Sequence, residues 1–289
     1  MQFGPDPSAS DFRRARLRSL LHLIRSAVLG RPRKLLAFDE VREKLHLGGP
    51  VYRGVRSVPI ARIVGSVDRY RDFDRLFLPT QSHTEDRWRS IQRAWYEDIN
   101  LPPVLLYKVG EAYFVVDGNH RVSVARDNGQ EFVDAEVREV EARVLVTPDV
   151  RAEDLEGLGS RVEFLERTQL DRVRPQARVE PTILGGYDRL LEHVCVHQYF
   201  MGLDRKEPVT EAEAVGHWFD TLYQPVTEQV EKSEILHEFP GRTPTDLYLW
   251  IMDHLHFLRS RDGGSQAGPV EAAADFIEGT ESGRLPSED

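Results

Sequence analysis

Five consecutive residues, Asp117-Gly118-Asn119-His120-Arg121, carry the clearest chemistry in the chain. If a helix starts here, its free backbone N–H groups point at an anion, and Arg121 adds a cationic fork matched to phosphate oxygens. Gly118 lets the backbone approach a phosphate closely. Asp117 has three readings: a magnesium ligand, a base, or the cap of the turn before the helix. Arg69 and Arg71 lie among Asp68, Asp72 and Asp74, with which they can pair on the surface. His193 and His197 lie at the i, i+4 spacing of metal ligands, but Val194 stands where the zincin pattern needs glutamate, so no metal site is assigned. Cys195 is the only cysteine, which excludes an intramolecular disulfide and a thiolate zinc cluster.

The elements that must position these residues follow from periodicity. Phe12 to Leu29 reads as a basic amphipathic helix, with Leu17, Leu20, Leu21, Ile24 and Val28 at helical spacing, and Phe38 to Leu45 as a short second helix. This arm either packs as a clasp or tethers the chain to a membrane surface or nucleic acid. Ser57 to Val64 reads as a strand and Glu85 to Asp98 as a helix that Pro102 and Pro103 close. The strands Val104 to Val109 and Tyr113 to Val116 form a hairpin around Gly110, the loop at Asp117 follows, and Arg121 to Asn128 is a helix ended by Gly129. Phe132 to Val140 is the next strand and Ala142 to Val146 a further one, before a helix from Ala152 to Arg167. Beyond Pro181 the pattern is helical: Tyr187 to Met201, Glu211 to Leu222, Pro225 to Glu234 and Thr245 to Arg259. The fold class is therefore α+β followed by an all-α domain. The boundaries are a basic helical arm over 1–48, an α+β domain over 49–145, a linker with a helix over 146–179, a helical domain over 180–262 and a mobile acidic tail over 263–289.

Charge restricts the partners. The chain of 289 residues has a net charge of −10. Residues 1–34 hold eight Lys/Arg against two Asp/Glu, so the remainder is strongly acidic. A broad basic groove tracking nucleic-acid phosphates is excluded, and any DNA contact falls to the arm. No apolar run is long enough to span a bilayer, and Leu17 to Leu29 is interrupted by Arg18, His22 and Arg25 with no secretory cleavage pattern; the chain is read as cytoplasmic.

The segment Val58 to Val140 resembles the ParB/sulfiredoxin superfamily, whose order of elements ends in a Gly-x-x-Arg-type box. ParB partition proteins carry Gly-Glu-Arg-Arg there and sulfiredoxins Gly-Gly-Cys-His-Arg. Gly118 and Arg121 match both, His120 matches the sulfiredoxin histidine, and Asn119 stands in place of the sulfiredoxin cysteine. Asparagine forms no thiolate, so sulfinic-acid repair is excluded. Val67 to Arg71 resembles the arginine-bearing box after the first strand. The resemblance implies binding of ATP or CTP with Mg²⁺ through Gly118, Asn119, His120, Arg121, Arg69 and Arg71, with Asp117 as the candidate catalytic group. A nucleotide-dependent regulator or switch is the first functional reading. A small-molecule kinase of the free-serine type, whose loop is similar, is the second. A DNA-binding transcriptional regulator or nuclease is the third, disfavoured because no helix-turn-helix follows the unit.

Phe239 to Trp250 resembles a bacterial family of uncharacterised helical domains found beside kinase-like or ParB-like domains. It implies architecture and a possible protein partner, with no chemistry. Arg242 and Asp246 read as a buried pair steadying a helix start, with Tyr248 and Trp250 packing.

Overall fold

The computed structural model describes residues 7–29, 34–261 and 268–282. They fall into two compact units, one reaching Gly159 and the other starting at Ser160.

The first unit is a mixed six-stranded sheet with helices. In chain order its elements are α1 (Pro7–Leu29), β1 (Leu36–Ala37), α2 (Phe38–Lys44), β2 (Val51–Pro59), β3 (Ile63–Ser66), α3 (Glu85–Tyr96), β4 (Val104–Val109), β5 (Ala112–Asp117), α4 (Asn119–Asp127) and β6 (Phe132–Val140). The strand order is β1-β3-β5-β4-β6-β2. β4 pairs antiparallel with β5 through the Gly110 turn and parallel with β6, while β3 lies parallel to β5. This places the C-terminal end of β5 in mid-sheet, where the chain leaves into α4.

Alternation along the central strands buries one set of side chains, Val104, Leu106, Val115 and Val137 among them, with Phe73, Phe77 and Val122. A second cluster holds the helices in place. Phe12 and Ala15 of α1 pack with Trp88 of α3 and Val124 of α4, with the rings of Phe12 and Trp88 5.7 Å apart. The buried Trp88 indole donates to the Ser123 hydroxyl at 3.0 Å, and the Gln92 and Asn128 amides exchange hydrogen bonds. The clasp expected of the arm is thus present.

Two sequence expectations are corrected here. Residues 142–146 form no strand: Val144 and Val146 are buried, but Val146 gives its carbonyl to the Glu111 amide in the turn after β4. Just beyond, the guanidinium of Arg75 donates to the carbonyls of Pro148 and Val150, and also to that of Val64. The stretch expected as one strand from Ser57 to Val64 is two strands separated by a 3₁₀ turn at Ile60–Arg62. Among the described residues no helix is long and apolar enough to cross a membrane.

The remaining elements are α5 (Asp154–Thr168), α6 (Leu170–Val173), α7 (Gly186–Arg205), α8 (Glu211–Trp218), a π turn (Phe219–Tyr223), α9 (Gln224–Lys232), α10 (Pro244–Arg261) and α11 (Pro269–Glu281). The tail expected from residue 263 contains α11, whose Ala272 and Ala273 are wholly buried; residues 262–267 and 283–289 lie outside the described residues. The second unit's core centres on Trp218, whose indole donates to the Tyr248 hydroxyl at 3.0 Å. Asp246 at the start of α10 is completely buried. Its carboxylate accepts from the amides of Thr182, Ile183 and Thr243 and from the Thr182 hydroxyl at 2.6 Å. Amide dipoles thus hold the charge that sequence assigned to a pair with Arg242, whose guanidinium lies over the Trp250 ring at 5.6 Å. Burial opposes ionisation of Asp246, but the hydroxyl and amide donors outweigh it and keep its carboxyl below the usual range.

Asp246→Ala should therefore leave the amides of Thr182, Ile183 and Thr243 unpaired and destabilise the second unit by about 3 kcal/mol. The change is read from urea unfolding followed by the fluorescence of Trp218 and Trp250.

Candidate functional site

β5 ends at Asp117, and Gly118 follows with φ +103° and ψ 22°, a left-handed turn that L side chains rarely adopt. Space demands glycine as well: a Cβ there would lie 2.6 Å from Val104 Cγ1 and 3.0 Å from Arg121 Nε. The turn starts α4 at once, and Val122 N closes the first helical bond onto the Gly118 carbonyl at 2.9 Å. The amides of Asn119, His120 and Arg121 precede that bond and have no intrahelical acceptor.

The loop lines a cavity of about 390 Å³, joined by Arg69, His83, Thr84, Arg87 and Ile91. Arg69, Arg87 and Arg121 meet there with Asp117 as the one carboxylate of the lining. In an acidic chain this is a local concentration of positive charge.

The side chains of the loop divide their roles. Arg121 donates from one terminal nitrogen to the carbonyls of Pro102 at 2.5 Å and Pro103 at 2.9 Å, and its other terminal nitrogen pairs with Asp117. Three of its five N–H groups are thereby engaged, and it ties the entry of β4 to the exit of β5. Asn119 and His120 are buried, at 6% and 9% exposure, yet Asn119 Oδ1 and His120 Nδ1 have no hydrogen-bond partner among the described residues. Orphaned buried polar atoms cost roughly 1 to 3 kcal/mol each, so two adjacent ones in a cavity lining call for a hydrogen-bonding partner from the cavity, water or ligand. The His120 ring stands edge-on to Phe73 at 5.3 Å. Burial, followed by the charges of Arg69 and Arg87, pushes its pKa down to about 4, so the imidazole is neutral at pH 7 and offers Nδ1 as donor or acceptor according to its tautomer.

Of the two arginines weighed from sequence, the structure brings Arg69 into the cavity and keeps Arg71 out of its lining. Arg69 also pairs with Asp72 at 3.0 Å, and Asp72 meets His83 Nε2 at 3.2 Å, so one carboxylate positions both cavity groups. Arg71 stacks over the Tyr70 ring at 5.4 Å. Sequence reasoning missed His83, Thr84 and Arg87. The signal was present in their spacing: Thr84, Arg87 and Ile91 recur at three and four residues and share one helix face, beside the apolar face that Trp88 leads.

A larger cavity of about 570 Å³ shares Ile91 and Arg121 with the first and is lined by Trp95, Pro102, Phe132 and Asp134, among others. Mg²⁺ needs few protein oxygens when phosphates supply the rest, and Asp117, 72% exposed at the cavity, fits that part. His193 and His197 are not brought together on an ion. His197 Nε2 meets His217 Nδ1 at 2.8 Å, His193 packs edge-on against Tyr248, and no group of three metal-ligating side chains exists among the described residues.

The low pKa of His120 has a stability consequence with a definite sign. Between about 4 and 6.5 the unfolded chain binds a proton at this ring that the folded chain does not. The contribution is intact above 6.5 and is lost as pH falls toward 4, by up to about 3 kcal/mol. Urea midpoints for the parent chain and His120→Gln, compared between about pH 7 and about pH 4.5, should show a flatter pH dependence in the variant.

No family model matches the sequence, and no curated protein is similar to it at a significant level. Among solved structures, the chain is similar to the C-terminally truncated chromosome-partitioning protein ParB from Caulobacter crescentus complexed with CTP-gamma-S. The two are 14% identical, the match covers 78% of this chain and 99% of that one, and the TM-score is 0.24. At that score the likeness carries no argument about this chain.

Proposed function

We propose that the first unit binds a nucleoside triphosphate, ATP or CTP, with Mg²⁺, and that the chain acts as a nucleotide-dependent regulator or switch. The observation that carries this reading is the pair of orphaned buried atoms on Asn119 and His120, set beside three arginines in one cavity. Phosphate oxygens accept from arginine N–H groups, from helix-start amides and from a neutral imidazole N–H, all of which this lining supplies. Asn119 Oδ1, an acceptor, suits a hydroxyl or a metal-bound water. Asp117 gives Mg²⁺ one oxygen while the phosphates supply others. The adjoining cavity, with Trp95 and Phe132 in its walls, has room for a nucleoside.

Arg69 and Arg87 serve the phosphates in this proposal, while Arg121 both contacts the ligand with its remaining N–H groups and holds the Pro102–Pro103 carbonyls. The second unit is assigned the task of passing on the bound state to a protein partner.

The test is a thermal-shift and calorimetric screen of the nucleoside triphosphates with Mg²⁺, followed by product analysis of any that bind. At about one hundred times Kd, a bound nucleotide should stabilise the first unit by roughly 2.7 kcal/mol. Arg87→Ala should weaken binding about tenfold to a hundredfold with the fold retained. If no triphosphate shifts the melting temperature, the reading fails. Recovered nucleoside diphosphate with a phosphorylated small molecule would move it to the kinase class.

A further inference from the structure

α1 has two faces that do different things. Its inner face, with Ser8, Asp11, Phe12, Ala15 and Ser19 buried, is fixed to the first unit by polar contacts as well as packing. Tyr96 donates to Asp11 at 2.6 Å, Ser19 donates to Asp74 at 2.9 Å, and Arg14 and Arg18 are engaged by Asp11 and Asp127. The helix is therefore held in one rotational setting.

That setting leaves Leu17, Leu20, Leu21 and Ile24 facing outward, each between 54% and 59% exposed. Their spacing of three and four residues puts them on a single stripe about a third of the helix circumference wide. Arg13 precedes the stripe by one turn, Arg16 flanks one side, and Arg25 the other with Arg18. Arg13, Arg16 and Arg25 are exposed and form no ion pair among the described residues. From Phe12 to Arg25 there is no acidic residue.

We propose that this outer face of α1 is a docking surface for an anionic membrane, lying in the plane of the lipid headgroups with its leucines at the acyl boundary. Charge decides between the possible occupants. An aliphatic stripe bordered by arginines matches a surface that is apolar beneath and anionic above. A second copy of the chain would bring arginines onto arginines around the same stripe. Duplex DNA would satisfy the arginines but leave four aliphatic side chains against a phosphate backbone that offers them nothing. The acidic remainder of the chain does not prevent this docking, because its repulsion is screened beyond a Debye length of about 8 Å at physiological ionic strength.

The experiment is flotation of the full chain with vesicles of phosphatidylcholine alone or in equal parts with phosphatidylglycerol. The chain should float with the anionic vesicles and remain behind with the neutral ones. Leu17→Gln, Leu20→Gln, Leu21→Gln and Ile24→Gln together should lower the vesicle-bound fraction at least about tenfold. The triple variant Arg13→Gln, Arg16→Gln, Arg25→Gln should also lower it at least about tenfold. All these positions are exposed, so circular dichroism should be unchanged, which separates lost docking from lost folding. Absence of binding to anionic vesicles overturns the proposal, as does binding that the leucine variant retains. Light-scattering dimers or gel-shifted DNA that depend on this face, with vesicles unbound, would assign it to those partners and overturn the membrane reading.

Discussion

The left-handed backbone at Gly118 is the constraint on which the cavity depends. It ends β5 and starts α4 within one residue, in a space that Val104 and Arg121 close to any side chain. Because the turn is so tight, Asn119 and His120 enter the helix already buried, and Arg121 falls across the carbonyls of Pro102 and Pro103. The same turn keeps Arg121 paired with Asp117, four residues before it. The cavity is thus a property of backbone geometry first and of side-chain charge second.

Its supports form a sequence of layers. α4 is held by α3 through Trp88 with Ser123 and Gln92 with Asn128, and α3 is held by α1 through Phe12 and the Asp11 contact to Tyr96. Burial on this side keeps His120 dry, and dryness together with Arg69 and Arg87 keeps it uncharged.

Much of this was legible in the residues. β4 and β6 begin and end where alternation places them, and the loop at Asp117 falls where a strand hands over to a helix. The α+β class followed by helices is likewise as read. What could not be read has physical causes. Val144 and Val146 alternate like a strand, but the Val146 carbonyl meets the Glu111 amide of the β4–β5 turn, a partner distant in sequence, and no ladder forms. Residues 51–56 went unread because an outer strand exposed to water needs no apolar pattern. The weak helical patch near Val270 to Ile277 is the middle of α11, but its packing was not legible. Ala272 and Ala273 are buried and Phe276 and Ile277 pack against the second unit's core, in a stretch whose glycine and glutamate read as a tail. The choice of Arg69 over Arg71 turned on where Asp72 and the Tyr70 ring lie, and no spacing rule encodes that. Asp246 shows the converse limit: sequence identified a buried acid at a helix start but not the amides that satisfy it.

The two margins of the sheet have a consequence for how chains behave at high concentration. One margin is β1, only two residues long; the other is β2, whose pairing with β6 slips between Tyr52 and Val55 where Gly54 turns to φ +86°. Arg53 on that margin is drawn back onto Glu139 at 2.9 Å, and Pro59 ends it without an amide to donate. A flat row of unpaired amides and carbonyls would recruit strands from other molecules, as in the growth of fibrils. Here one row is too short to nucleate such growth and the other is kinked and charged, so the exposed Val51, Tyr52 and Val55 sit on a margin that resists templated aggregation.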